Sequence, residues 1–240
     1  SLSQNSECSG FDDRASVSRP VVKSPSQIPA GLTPLNPHVA AASAGWAPFG
    51  LPSSRRGAAW FWSFIAELDD LPTLPTLLAA SSLAIEAPEG SSLMENPYVA
   101  EPNVTNEVAP GNPAASNLAV AIRARRHNLR SITSASLRRV MGGDNCRFLN
   151  FYAGPSKSFT SLRYQQLFEM GPSKALGLFR DKTVFVGFQD HLKSSRSDSF
   201  HTPGSWAETP FSGVELLATA FANLRDGTYL KIADDFALRG

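Results

Sequence analysis

Cysteine is scarce in this 240-residue chain. Cys8 and Cys146 are the only two, and no Cys-x-x-Cys or Cys/His cluster is present to hold zinc. They allow one disulfide or two unpaired thiols; the polar, aperiodic surroundings of Cys8 favour the thiols. Charge of one sign is also lacking. The formal net charge is +1, without the basic footprint of a nucleic-acid binder or the acidic excess of a solvating tail. The longest uncharged run, Leu71–Ile85, is too short for a bilayer and contains Pro72 and Pro75. The signatures HExxH, GxSxG and a phosphate-binding glycine loop are missing, and there is no internal repeat. What remains is ordinary globular material, 42% hydrophobic and 18% charged. Its length suits one large domain or two small ones, and 18 prolines and 17 glycines indicate many loops.

The chain is organised around Phe179–Gly227. Thr183-Val-Phe-Val-Gly-Phe188 is short, β-branched and aromatic, which predicts a strand buried on both faces, as in a parallel sheet. Gly187 inside it marks a place where another group comes close. A polar loop of about two dozen residues follows, against roughly 2–6 for a usual strand-to-helix connection. In open α/β sheets ligands sit at that edge. Ser212-Gly-Val-Glu215 then reads as a capping box, with Phe211 and Leu216 as its hydrophobic staple. Val214, Leu217, Ala218, Phe221 and Leu224 lie on one face of a helix that Gly227 is placed to end.

These residues carry a resemblance. Val184-Phe-Val-Gly-Phe188, Asp198, Phe200-His-Thr-Pro203 and Phe211-Ser-Gly-Val-Glu-Leu-Leu-Ala-Thr-Ala220 resemble the closing motif of the CHASE family of the second type. These are the cyclase/histidine-kinase-associated sensory extracellular domains. Leu217 and Thr219 depart from the pattern, where many members carry His and Asn, so no role is carried over to them. Arg55-Arg56 and Leu71-Pro-Thr-Leu74 are similar to an earlier part of the family pattern, and so is the turn at Tyr152-Ala-Gly-Pro155. The resemblance implies a sensor outside the cytoplasmic membrane, with in-chain membrane spans and a cytoplasmic cyclase, histidine kinase or serine/threonine kinase as output. It also implies a partial sensor whose first strands lie outside this sequence.

Taken in order, residues 1–30 read as a disordered lead. Val39–Trp46 reads as a helix end running into a short strand. Ala58–Ala66 reads as a central strand with Trp60 and Trp62 in the core. Thr73–Ile85 reads as a helix with Pro75 in its first turn. Residues 88–113 form an insertion loop rich in proline. Ala114–His127 is a helix with Leu118 and Ile122 inward and Arg123, Arg125, Arg126 and Arg130 on a solvated face. Ser134–Met141 is a short helix stopped by Gly142-Gly143, and Arg147–Tyr152 is a strand. Ser161 caps a helix through Met170, with Tyr164, Leu167 and Phe168 inward. Residues 231–240 form the exit segment.

The expected architecture is a single α/β domain over residues 31–230, with a largely parallel or mixed sheet and helices on both faces. Its expected role is a non-catalytic sensor without cofactor or metal. The ligand-binding or loop-organising candidates are Asp198, His201, Thr202, Pro203, Gly213 and Glu215. The signal is a small molecule or a protein, and a homodimer is compatible with the reading. The runner-up is an α/β hydrolase-like enzyme using Asp190, His191, Arg196, Asp198, His201 and Thr202. A structural dimerisation domain is the third.

Overall fold

The computed structural model describes residues 47–49, 51, 58–66, 69–86, 113–154, 157–187, 199–202 and 210–230. The expected lead, the Val39–Trp46 element, nearly all of the insertion and the exit segment lie outside them. By contacts the chain forms two compact units. The first holds residues 60–149 and 220–240 with the start of the chain, and the second holds 53–59 and 150–219.

In the first unit, Ala58–Ala66 is two strands rather than one: β1 (Trp60–Trp62) and β2 (Phe64–Ile65). They break at Ser63, which is buried and serves as a hub. The Ser63 amide donates to Asn145 O at 2.7 Å, and its carbonyl accepts from the Thr73 amide at 3.0 Å. The same carbonyl accepts from Thr76 Oγ1 at 2.7 Å. Phe61 and Phe64 are fully buried; burying such a ring stabilises by about 1.5–3 kcal/mol. Trp60 and Trp62 are half-buried and meet edge to face, so the phenylalanines form the core here, not the tryptophans.

β2 pairs antiparallel with β3 (Leu71–Pro72), and β1 pairs antiparallel with β4 (Cys146–Phe148). Asp69 and Asp70 in the β2–β3 turn both have positive φ. Helix α1 (Leu74–Glu86) packs on α2 (Pro113–His127) and on α3 (Ala135–Met141). Ser134 caps α3 by accepting from the Leu137 amide. The arginine face of α2 is not simply solvated. Arg123 pairs with Asp69 at 3.0 Å and Arg126 with Asp70 at 3.1 Å, so the helix holds the turn. Arg126 also lies over the Phe64 ring at 3.9 Å.

The second unit contains α4 (Tyr164–Met170) and α5 (Pro172–Phe179), which pack on each other. The α4 cap is Arg163, whose amide donates to Gln166 Oε1; Ser161 lies further out. Tyr164 and Phe168 are not inward: they are 74% and 68% exposed and stack edge to face with each other. Pro172 does not merely break α4. It opens α5, where its missing amide hydrogen costs nothing.

The doubly buried strand at 183–188 is not present among the described residues. Residues 182–187 are not helix or turn and join no ladder among the described residues, and Val184 and Val186 are 48% and 91% exposed. The strand pairs that are described, including β5 (Ser199–Phe200) with β6 (Phe211–Ser212), are all antiparallel. Among the described residues the fold is therefore mixed helix and small antiparallel sheets, consistent with the expected α/β class but without its parallel sheet. Each ladder is only two or three residues long, too short to continue a crossover pattern.

Helix α6 (Gly213–Asp226) has its residues through Thr219 in the second unit and the rest in the first. Leu216, Ala220, Asn223 and Leu224 are its fully buried stripe. Val214 and Leu217 are only half-buried, so the inward face is rotated from the expected one.

Candidate functional site

The middle of the long loop pairs with its end in the β5–β6 ladder, with Ser199 opposite Ser212 and Phe200 opposite Phe211. Phe211 is buried and lies 4.9 Å, ring to ring, from Phe151. Leu216, the other residue of the expected staple, is fully buried. Directly after β5, His201 is exposed and its carbonyl accepts from the Ala58 amide at 2.7 Å. Thr202 next to it is 5% exposed, and its Oγ1 has no hydrogen-bond partner among the described residues. An orphaned buried hydroxyl costs about 1–3 kcal/mol, so it calls for an explanation.

The capping box at the start of α6 is present in full. The Ser212 amide donates to Glu215 Oε2 at 3.0 Å, the Ser212 hydroxyl donates to the same oxygen at 2.8 Å, and the Glu215 amide donates to Ser212 Oγ at 3.4 Å. The Glu215 carboxylate also sits where a helix N-terminus favours negative charge. Gly187 approaches this helix start closely: a Cβ built on it would lie 2.5 Å from Val214 Cβ. The expected close approach is therefore real, made by a helix side chain.

The structure thus places His201 and Thr202 just after β5, midway along the loop, and Gly213 and Glu215 just after β6, flanking one short ladder. Asp198 and Pro203 lie outside the described residues, as do Asp190, His191 and Arg196 of the hydrolase reading. Among the described residues no group of three or more His, Cys, Asp or Glu is placed to hold a metal ion. No described helix is long and apolar enough to cross a membrane.

The far end of α6 is fastened in the first unit. Gly227 has φ +71, and the Thr228 amide donates back to Asn223 O at 3.0 Å, the 6→1 bond of a Schellman ending. Arg139 of α3 donates through Nη2 to Arg225 O at 2.9 Å. Leu230 then bridges antiparallel to Phe148.

Beneath this ending lies a residue that the sequence reading did not single out. Arg147 in β4 is 2% exposed. Its Nε donates to Ser63 Oγ at 2.5 Å, and Nη2 donates to Gly142 O at 2.5 Å and Val140 O at 3.2 Å. Its guanidinium lies 4.4 Å from the centre of the Tyr229 ring. Burial pushes the guanidinium below its ordinary range, with Tyr229 and Asp144 offsetting part of the loss. The signal was in the alternation: Arg147, Leu149 and Phe151 fall on the same side of the expected strand, so an arginine stood on the apolar face.

Cys146, beside Arg147, is in a disulfide, which corrects the two-thiol reading. The one other cysteine of the chain, Cys8, lies outside the described residues.

No curated protein and no solved structure matches the chain. A family model does. The CHASE2 domain model aligns with residues 53–238, well over half of the chain and both ends of the loop, so this protein belongs to the CHASE2 domain family.

Proposed function

We propose that this chain is the extracytoplasmic signal-input region of a membrane-bound receptor whose output is a nucleotide cyclase, a histidine kinase or a serine/threonine kinase elsewhere in the parent protein. CHASE2 domains are sensory extracellular domains of signalling receptors, and they are not catalytic. Family membership over residues 53–238 is the observation that carries the proposal. The disulfide at Cys146 supports it, because such bonds persist in oxidising compartments outside the cytoplasm.

The signal, a small molecule or a segment of another protein, is taken up beside the β5–β6 ladder. Thr202 supplies an uncommitted hydroxyl and His201 an exposed imidazole. Gly213 and Glu215 stand just after the paired Phe211–Ser212, and Asp198 and Pro203 are the candidates that flank this stretch in sequence. Since α6 starts beside this ladder and ends before the exit segment, a signal that favours one helix position shifts the output. Such a switch requires different affinity for the two positions.

The test uses the full-length parent protein in native membranes. Added protease should cut the chain from the extracytoplasmic side only. Thr202→Val should leave folding intact, remove the hydroxyl and change basal or stimulated output. Cleavage from the cytoplasmic side alone, or an output indifferent to Thr202→Val, sinks the reading.

A further inference from the structure

Arg147 is a buried cation without a carboxylate in ion-pair contact. The ion pairs among the described residues are Arg123–Asp69 and Arg126–Asp70. The edge of the Arg147 guanidinium is taken up by Ser63 Oγ and the Val140 and Gly142 carbonyls. These acceptors are neutral, and a buried charge ordinarily has a counter-charge as well. Asp144 attracts it from beyond ion-pair distance. What lies over its face is the ring of Tyr229, with the guanidinium carbon 4.4 Å from the ring centre. The negative face of an aromatic ring attracts such a cation, and more strongly where water is excluded.

Tyr229 stands in the stretch that leaves α6, and that stretch is lightly held. The Thr228 amide closes the helix on Asn223 O, and the Leu230 amide then donates to Phe148 O at 3.1 Å. This contact is an isolated bridge rather than a ladder, and Leu230 is 52% exposed.

We propose that Tyr229 positions the α6 exit by seating its ring on Arg147, and that lifting the ring is the step that passes a signal on. The second half rests on the sensor reading above; the first half does not. Two features select the ring as the seat. Arg147 is fixed from behind by β1–β2 and α3, so the cation does not follow the ring when it moves. Phe148 also follows Arg147 directly in β4, so seating the ring brings the Leu230 amide to the Phe148 carbonyl in register. Lifting the ring loses its attraction to the cation but admits water to the charge. The two effects oppose, which keeps the seated and lifted states close enough for a signal to choose between them.

The test is hydrogen exchange on the whole 240-residue chain, read at the Leu230 amide, with fully buried Ala80 of α1 as the reference for the core. Tyr229→Phe keeps a ring face and should leave Leu230 exchange within about threefold of the parent. Tyr229→Leu fills the place with an apolar side chain that has no ring face, and should speed Leu230 exchange about tenfold with Ala80 unchanged. In the full-length parent protein, Tyr229→Leu should shift basal output and Tyr229→Phe should not.

Leu230 exchange as slow in Tyr229→Leu as in the parent overturns the seat, because the bridge then holds alone. Equal acceleration in both variants also overturns it, by tracing the hold to the phenol hydroxyl. Acceleration of Ala80 together with Leu230 shows general destabilisation and overturns it too. A faster Leu230 amide with unchanged output overturns the signalling half and leaves the seat standing. Should Thr202→Val be silent while Tyr229→Leu changes exchange and output, the uptake site falls and this inference does not.

Discussion

Arg147 shows what a single buried residue contributes here. Its planar fork reaches Ser63 and the Val140 and Gly142 carbonyls at once, so it joins β1–β2, α3 and the turn after α3. Lysine has the charge but not the fork. Arg147→Lys should therefore lower the unfolding free energy by about 1–3 kcal/mol in urea denaturation, since bonds to a charged group are worth that much. Its position on the apolar side of β4 was legible in the alternation, but its partners were not. Ser63 lies far from it in sequence, and nothing local announces that its hydroxyl converges with the nearby Val140 and Gly142 carbonyls. Thr202 is the opposite case, since no pattern in sequence distinguishes a buried hydroxyl from an exposed one in an irregular stretch.

Helix α6 was the most legible element because its signals are local. The capping box, Phe211 and Leu216, and Gly227 all lie within one turn of the helix ends; the box and the left-handed Gly227 appear as expected, and both apolar residues are buried. Ser212→Ala removes both the acceptor for the Glu215 amide and a donor to its carboxylate. It should cost about 0.5–2 kcal/mol, measurable as a lower urea midpoint with an unchanged slope. Residues 183–188 failed for the complementary reason. An apolar, β-branched run states that a segment prefers cover; it does not say what covers it, and here the described chain does not. The same holds for α4, where a helical spacing of Tyr164, Leu167 and Phe168 predicted burial and two of the three face solvent. Neither α4 nor α5 has a fully buried residue, unlike α1 and α3. Amides of α4 and α5 should exchange hydrogen well before those of α1 and α3, since low burial marks easy local opening. Equal protection in all four helices would contradict this account.

At the scale of the whole molecule, the helical elements were readable from periodicity, while the strand pairings were not. Ladders of two or three residues leave too short a pattern to separate parallel from antiparallel, and a long loop suggested a crossover that the described residues do not make. The disulfide state was misread because composition around Cys8 carries no information about what Cys146 meets. Alkylation of the native, unreduced chain should label neither cysteine, and labelling after reduction should recover both; a native protein that takes up label would refute the bond. The ending of α6 has one more consequence, in the variation of the family. A Cβ built on Gly227 would lie 2.5 Å from Arg139 Nε, and the backbone there is left-handed. The exposed Arg139 side chain can swing aside, but the left-handed backbone strains any side chain at 227. Position 227 is therefore held to glycine among relatives whichever residue stands at 139. An alignment in which β-branched residues are common at 227 would break that rule.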